Sequence, residues 1–258
     1  MLEIESKNNN LFKEIKKLKE KKHRIKSNKY LIEGLRFVEE AIKSKVSIDS
    51  IIFTESFKEK NPDLFLKINE NIKLIQMNEA LLKQLCSTEN PQGIVGVINM
   101  QNKELKSGEL VVLVDKVQDP GNMGTIIRTA DAVGAHGVII PKRRSVHITP
   151  VVAKASAGAV EYMPVCKVTN IVNTIKRLKE EGLWIAAADM DGEVFYEQNL
   201  TGPIGRVIGS EGFGISRLVK QNCDFTVKMP MTGNVASLDA SVAGGILLYE
   251  IFRQRNRG

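Results

Sequence analysis

Residues 204–252 read IGRVIGSEGFGISRLVKQNCDFTVKMPMTGNVASLDASVAGGILLYEIF, and their punctuation decides how the rest of the chain is understood. The apolar pair Val207-Ile208 empties into a glycine-rich turn, Gly209-Ser210-Glu211-Gly212-Phe213-Gly214. A helix and a second strand, Phe225 to Met229, come next. The loop Pro230-Met231-Thr232-Gly233-Asn234 then leads into a final, almost wholly apolar helix. Two strand-ending loops this close together fit a ligand cleft at the carboxyl edge of an α/β sheet. Glycines in the first loop let backbone N–H groups approach a ligand with no Cβ in the way. Gly244 and Gly245 sit mid-helix, where each costs about 1 kcal/mol relative to alanine. Close backbone packing, on another helix or on a ligand, would justify that cost.

The half of the chain leading to this stretch has the same grammar. Leu110 to Asp115 is a continuous apolar run, as a buried parallel strand requires. Asp119-Pro120-Gly121-Asn122 breaks it and starts a helix. Met123, Ile126, Ile127, Ala130 and Val133 recur on one helical face, which predicts a core-facing stripe. Asn122, Thr125 and Arg128 line up on the opposite side, just beyond a strand's carboxyl end. A strand from Gly137 to Ile140, the loop Pro141-Lys142-Arg143-Arg144, a helix opening at Thr149-Pro150, a helix over Ile171 to Leu178 and a strand from Trp184 to Ala188 complete the region.

Earlier still, residues 1–28 predict a basic helix and its leader, with Leu11, Ile15, Leu18 and Ile25 as a thin apolar stripe. Strands are expected at Tyr30 to Ile32, Ile48 to Phe53, Leu74-Ile75 and over the passage Pro91 to Ile98, with helices between. Asn78 is expected to cap the helix Glu79 to Leu85. The polar stretch Gln101 to Glu109 lacks apolar periodicity and is the linker candidate. The expectation is a small α/β domain over residues 1–103 and a larger parallel-sheet domain over 104–258.

The net charge of +7 is concentrated. Nine Lys or Arg residues between Leu11 and Lys29 face only Glu14 and Glu20, so this one segment accounts for the whole excess. A basic run of this kind points to a phosphate-rich partner, against the blander reading of a solvated helix face. Cys86, Cys166 and Cys223 are far apart and odd in number, and His23, His136 and His147 share no ligand spacing. Neither a disulfide frame nor a metal site is expected, and a reducing cytoplasm fits. No leader peptide and no apolar run of membrane length is read, so no membrane association is expected.

Gly209-x-x-Gly212-x-Gly214 is not the dinucleotide fingerprint, and no Walker A sequence, nucleophile elbow or HExxH occurs. The polar residues that a cleft would gather are Asn122 with Arg128, Glu211, and Ser237 with Asp239. Taken singly, each has a plain alternative: Asn122 and Ser237 as helix caps, and Glu211 as an acidic group favouring a helix N-terminus.

Asn122-Met123-Gly124-Thr125-Ile126-Ile127-Arg128-Thr129-Ala130, Ile208-Gly209-Ser210-Glu211-Gly212, and Met229-Pro230-Met231 with Val235-Ala236-Ser237-Leu238-Asp239-Ala240-Ser241-Val242-Ala243 stand in the order and spacing of three known motifs. They resemble those of the SpoU (TrmH) family of RNA ribose 2′-O-methyltransferases, members of the SPOUT class. Tyr30-Leu31-Ile32-Glu33-Gly34 and Pro91-Gln92-Gly93 resemble that family's RNA substrate-binding domain. The resemblance implies a ribosomal-protein-like α/β domain followed by a parallel-sheet SPOUT domain with a trefoil knot, an exception to the near-absence of knots. It implies S-adenosyl-L-methionine held around Ile208, Gly209, Glu211, Gly212, Met229, Met231 and Leu238. It also implies a homodimer packed through the C-terminal region, which would supply Gly244 and Gly245 with their close contact.

On this resemblance the catalytic set is Asn122, Arg128, Glu211, Ser237 and Asp239. A guanidinium with a pKa above about 12 is a poor base, so Arg128 is read as a clamp on the neighbouring phosphate that orients the 2′-hydroxyl. Asn122 would fix the ribose or Arg128, with Glu211 and Ser237 organising the pocket. Lys21, Lys22, Arg24 and Lys26, and after the first strands of the second domain Lys142, Arg143 and Arg144, are the expected RNA contacts. One residue departs from the family: the third motif usually reads Ser-Leu-Asn, and here it is Ser237-Leu238-Asp239. An ionised Asp accepts but cannot donate; it would repel a ligand carboxylate or salt-bridge Arg128. Ribosomal RNA is the preferred substrate and tRNA the runner-up. An inactive RNA-binding homologue and a nucleotide-dependent oxidoreductase are the readings of other classes.

Overall fold

The computed structural model describes residues 1–44, 46–100, 108–234 and 237–256, and of Lys21 the backbone only. Most of the linker expected over Gln101 to Glu109, together with Val235 and Ala236 of the third motif, lies outside the described residues. The chain divides into two units, Met1–Gln101 with Ile148–Lys154, and Asn102–His147 with Ala155–Gly258.

The first unit alternates short elements. They are β1 (Leu2–Ile4), α1 (Asn10–Lys17), α2 (Lys21–Ser27), β2 (Lys29–Glu33), α3 (Leu35–Lys43), β3 (Ile48–Phe53), α4 (Glu55–Lys60), α5 (Pro62–Leu66), β4 (Lys73–Met77), α6 (Glu79–Leu85) and β5 (Ile94–Asn99). The strands form one sheet in the order β1-β4-β3-β5-β2, parallel as far as β3 and antiparallel on both sides of β5. Asn78 caps α6 as expected, its Oδ1 accepting from Leu81 N at 2.9 Å. Phe12, Ile15 and Leu18 pack with Leu81, Leu82 and Leu85 on one face of the sheet.

The reading of residues 1–28 as one basic helix is corrected here. Leu2 to Ile4 pairs in register with Ile75 to Met77, and the helix breaks after Leu18 into α1 and α2. Ile25 is exposed, and Phe12 is the aromatic that anchors the stripe instead. Arg24, expected at an RNA surface, is buried, its Nη1 donating to Leu18 O at 3.0 Å and to Lys19 O at 2.6 Å. It closes the turn between the two helices by satisfying carbonyls that a helix end leaves without partners.

The second unit contains β6 (Leu110–Val114), α7 (Pro120–Ala132), β7 (Gly137–Pro141), α8 (Pro150–Ala155), a 3-10 turn (Ala159–Glu161), β8 (Val165–Val168), α9 (Ile171–Glu180), β9 (Trp184–Val194), β10 (Ile204–Ile208), α10 (Arg217–Asn222), β11 (Phe225–Lys228) and α11 (Ala240–Arg255), although most of α8 clusters with the first unit. The six strands are all parallel, in the order β11-β9-β10-β6-β7-β8. A parallel sheet puts every carboxyl end at one edge, so the loops after β6, β9, β10 and β11 are neighbours there. One face of the sheet buries Val111, Leu113, Ile185 and Val207 under α9 and α10. Met123, Ile126, Ile127 and Ala130 of α7 are buried as their periodicity predicts, and α11 packs against α7.

Two features of this unit were not foreseen. A Cβ on Gly244 would lie 2.6 Å from Ile208 Cδ1, and one on Gly245 would lie 3.9 Å from Thr129 Cγ2. The close approach at Gly244 is to the end of β10 within the chain, and Gly245 faces α7. Arg206 on β10 is 1% exposed, and its Nε and Nη2 hydrogen-bond nothing among the described residues. Burial pushes its pKa down to about 9, which still leaves the guanidinium charged at neutral pH.

The contrast between neighbours on α2 is testable. Arg24→Ala is expected to destabilise the protein by about 2 kcal/mol, through two lost charge-assisted bonds and the packing of the stem. Lys22→Ala, at an exposed position, should stay within about 0.5 kcal/mol. Urea unfolding of the two variants measures the difference, and equal stabilities would refute the structural role of Arg24.

Candidate functional site

The carboxyl edge of the six-stranded sheet surrounds a cavity of about 370 Å³. Its floor and walls come from three strand ends and the start of α11. Ile208, Gly209, Glu211 and Gly212 line it from the loop after β10, Met229 and Met231 from the loop after β11, and Ser237 and Leu238 from the approach to α11. Every residue expected to hold a ligand is thus brought to one cavity.

The loop after β10 is braced against itself. Ser210 N donates to Gly214 O at 3.0 Å and Gly214 N to Ser210 O at 2.9 Å, a one-pair antiparallel bridge. A Cβ on Gly209 would lie 2.3 Å from Gly214 C, so only glycine lets the loop close this tightly. The far end of the loop is pinned by Asp115, the residue after β6, whose buried Oδ2 accepts from Ser216 N at 2.7 Å.

Asn122, Arg128 and Asp239 do not line the cavity, but Asn122 joins its two sides. Its Nδ2 donates to Glu211 Oε1 at 2.8 Å and to Asp239 Oδ2 at 2.8 Å. One amide therefore ties the loop after β10 to the start of α11. Asn122 does not cap its own helix: Asp119 does, its Oδ1 accepting from Asn122 N at 2.7 Å. Likewise Asp239, not Ser237, caps α11. Its Oδ1 accepts from Ser241 N at 2.8 Å, from Ser241 Oγ at 2.6 Å and from Val242 N at 3.4 Å. The Ser241 hydroxyl leads these donors in holding Asp239 below the usual aspartate range, against the opposing effect of partial desolvation.

No salt bridge joins Asp239 to Arg128, so that expectation is corrected. Both carboxylate oxygens of Asp239 are used by neutral donors. Arg128 is exposed and makes no hydrogen bond or ion pair among the described residues. Lys142, Arg143 and Arg144 are exposed beyond the carboxyl end of β7, with Arg144 in the left-handed region at φ 63°. In the first unit Lys22 and Lys26 are exposed, Arg24 is withdrawn, and the side chain of Lys21 lies outside the described residues.

Ala188, Asp189 and Met190 also line the cavity, and sequence reasoning missed them. It ended the strand at Ala188, whereas β9 continues to Val194 and lies between β10 and β11. The only local signal was an acidic residue directly after an apolar run. Partial desolvation works to raise the Asp189 pKa, but the hydrogen bond from Lys220, whose Nζ is 2.8 Å away, and further donors outweigh it and the net shift is downward. The cavity thus pairs an apolar lining with acceptor oxygens, those of Glu211 at its rim and of Asp189, whose charge Lys220 answers, and suits a ligand that is partly apolar and carries hydrogen-bond donors.

Comparison with known proteins gives a consistent result. Residues 109–249 match the model of the SpoU rRNA Methylase family, and residues 9–96 match the MRM3-like substrate binding domain. A putative TrmH family tRNA/rRNA methyltransferase of Staphylococcus saprophyticus is 42% identical over 239 residues, covering 88% of this chain and 96% of its own. The crystal structure of an AdoMet-bound rRNA methyltransferase from Sinorhizobium meliloti superposes with a TM-score of 0.87 at 27% identity, covering 97% of each chain. The SpoU methyltransferase AviRb from Streptomyces viridochromogenes, in complex with the cofactor AdoMet, also gives 0.87 at 27% identity, over 97% of this chain and 100% of that one.

The network around Asp239 makes a pH prediction. A carboxylate whose folded pKa is lowered contributes its full stabilisation above the ordinary aspartate range and loses it as pH falls through the folded value. Asp239→Asn keeps a good N-cap and removes this titration. The variant should be less stable than wild type at neutral pH, because an amide nitrogen would face Asn122 Nδ2 where Oδ2 now accepts, and should fall less steeply on the acid side. Parallel acid limbs in a pH series of melting curves would count against the assignment.

Proposed function

The chain belongs to the SpoU rRNA methylase family, and on that premise we propose that it transfers the methyl group of S-adenosyl-L-methionine to a ribose 2′-hydroxyl of ribosomal RNA. The observation that carries this reading is the Asn122 amide joining Glu211 to Asp239 beside the cavity, with the free guanidinium of Arg128 on the same helix. When bound, the cofactor supplies an electrophilic methyl group on a sulfonium. The residues present fit it: glycine-rich backbone and Met229, Met231 and Leu238 for its apolar parts, and carboxylates for its positive charge.

The chain's own work is alignment and charge control. Arg128 grips the phosphate next to the target ribose and so orients the hydroxyl for in-line attack. Asn122 holds the two loops at a fixed separation, and with them Glu211 and Ser237 at the pocket. The first unit is the RNA-gripping domain, which we place at residues 1–103, ahead of the catalytic domain at 104–258. Lys22 and Lys26 on α2, with Lys142, Arg143 and Arg144 at the carboxyl edge, supply the phosphate contacts. Ribosomal RNA is preferred over tRNA because a whole domain precedes the catalytic one, and because the likeness to the Sinorhizobium meliloti rRNA methyltransferase runs through both. Decay to an inactive RNA-binding protein is disfavoured, since every oxygen of Asp239 is employed in the site network.

The trefoil knot belongs to this reading. It is supported by the ties of the last loop to Asn122, 117 residues earlier, and of Ser216 to Asp115, 101 residues earlier. A homodimer belongs to it as well. Val242, Ile246, Tyr249 and Phe252 leave one face of α11 exposed at 49%, 41%, 52% and 40%, and an apolar helical stripe of that length is normally covered. No helix among the described residues is long and apolar enough to cross a membrane, and Cys86, Cys166 and Cys223 form no disulfide, in keeping with a cytoplasmic protein.

Two measurements test these statements. Arg128→Ala should lower methyl transfer to ribosomal RNA by at least a hundredfold while calorimetry shows unchanged affinity for S-adenosylmethionine; retained turnover would refute the clamp. Ile246→Glu should halve the mass seen by sedimentation, and an unaltered mass would place the dimer contact elsewhere.

A further inference from the structure

Phe213 stands at the tip of the loop after β10 and is 95% exposed. We infer that its ring is a stacking platform for the nucleobase beside the methylated ribose, an inference that rests on the RNA methyltransferase reading above.

Four observations support the assignment. First, the ring is on a rigid mount. The Ser210–Gly214 bridge closes the loop, Gly209 leaves no slack, and Asp115 pins Ser216. Second, the ring contributes nothing to the fold, since almost all of its surface meets solvent. A lone exposed apolar side chain needs no explanation, but one fixed at the rim of the cavity and lining it is differently placed. Third, the positions on either side are open: an added Cβ at Gly212 or at Gly214 would meet nothing within 4 Å. A planar group can therefore approach the ring without displacing a neighbour. Fourth, Phe213 is two residues from Glu211, whose carboxylate is held by Asn122.

The chemistry favours a base over other occupants. RNA recognised by sequence presents unstacked nucleotides in loops, bulges and ends, and an aromatic side chain replaces the stacking such a nucleotide lacks. Such a platform is sequence-tolerant because every base has a π-face.

Phe213→Ala, Phe213→Tyr and a reporter, Phe213→Trp in a Trp184→Phe background, decide the matter. Trp184 is the one native tryptophan, so the reporter carries a single indole. Bulk bacterial ribosomal RNA should quench its emission strongly, and S-adenosylmethionine alone should not. Phe213→Ala should raise the KM for ribosomal RNA about tenfold, the loss expected of one base–aromatic stack. Affinity for S-adenosylmethionine and sedimentation should not change, and Phe213→Tyr should restore the KM. An unchanged KM in Phe213→Ala with active wild type would overturn the stacking role alone. So would a loss of cofactor affinity, which would put the ring over the cofactor, or a change in mass, which would put it in a subunit contact. Wild type unable to methylate ribosomal RNA would overturn the functional reading and the platform together.

Discussion

The carboxyl-edge site depends on one neutral amide. Glu211 and Asp239 approach each other from loops far apart in sequence, and two ionised carboxylates brought together repel. The Nδ2 of Asn122 has two protons and gives one to each. Its position is fixed from below by Asp119, which accepts the Asn122 backbone N–H while capping α7. Asp239 in turn caps α11, so the bridge links the N-termini of two helices that pack together. Asp239, at the N-terminus of α11, meets the positive end of that helix's dipole, which offsets part of the repulsion. Asp at this position serves both needs: one oxygen caps α11 and the other accepts from Asn122.

Close approach is the second constraint, and it follows from the first. For Asp239 to reach Asn122, α11 must lie directly on the end of β10 and against α7. A residue larger than glycine at 244 would drive a Cβ to 2.6 Å from Ile208. The helix gives up about 1 kcal/mol of propensity there, and α11 in return lies directly on the Ile208 side chain. Contact within the chain thus accounts for Gly244, and the exposed stripe of Val242, Ile246, Tyr249 and Phe252 is a separate feature on another face.

What could be read from the sequence was what local periodicity controls. The core face of α7, the buried run from Leu110 to Asp115, the apolar pair Val207-Ile208 and the Asn78 cap all follow from spacing and from side-chain chemistry within a few residues. The first-unit RNA face was misread for a physical reason: a cationic side chain in a basic run looks solvated, yet Arg24 is close to two carbonyls that the break after Leu18 sets free. Asp189 was invisible because its place in the cavity depends on β9 lying between β10 and β11, a matter of strand order. Arg206 was unforeseeable for the same reason, since a charge inside an apolar strand reads as an edge residue until both neighbours are known.

Charge placement then separates the work of the two units. The chain's net +7 resides between Leu11 and Lys29, so attraction of a polyanion at a distance belongs to the first unit. Salt screens exposed charges beyond about 8 Å at physiological ionic strength, and that attraction cannot reach far into another site. The second unit sets carboxylates at its carboxyl edge, Asp189, Glu211 and Asp239, which suit a cationic methyl donor and repel a phosphate. A local remedy is needed there, and the same edge provides it: Arg128 on α7 and Lys142, Arg143 and Arg144 after β7 are exposed, and no ion pair among the described residues engages them. A cleft that must hold a sulfonium and a phosphodiester side by side requires both signs of charge in close quarters. Glu211 and Asp239 are held by the neutral donors Asn122 and Ser241 and Asp189 by Lys220, so none of these carboxylates is paired with the Arg128 guanidinium.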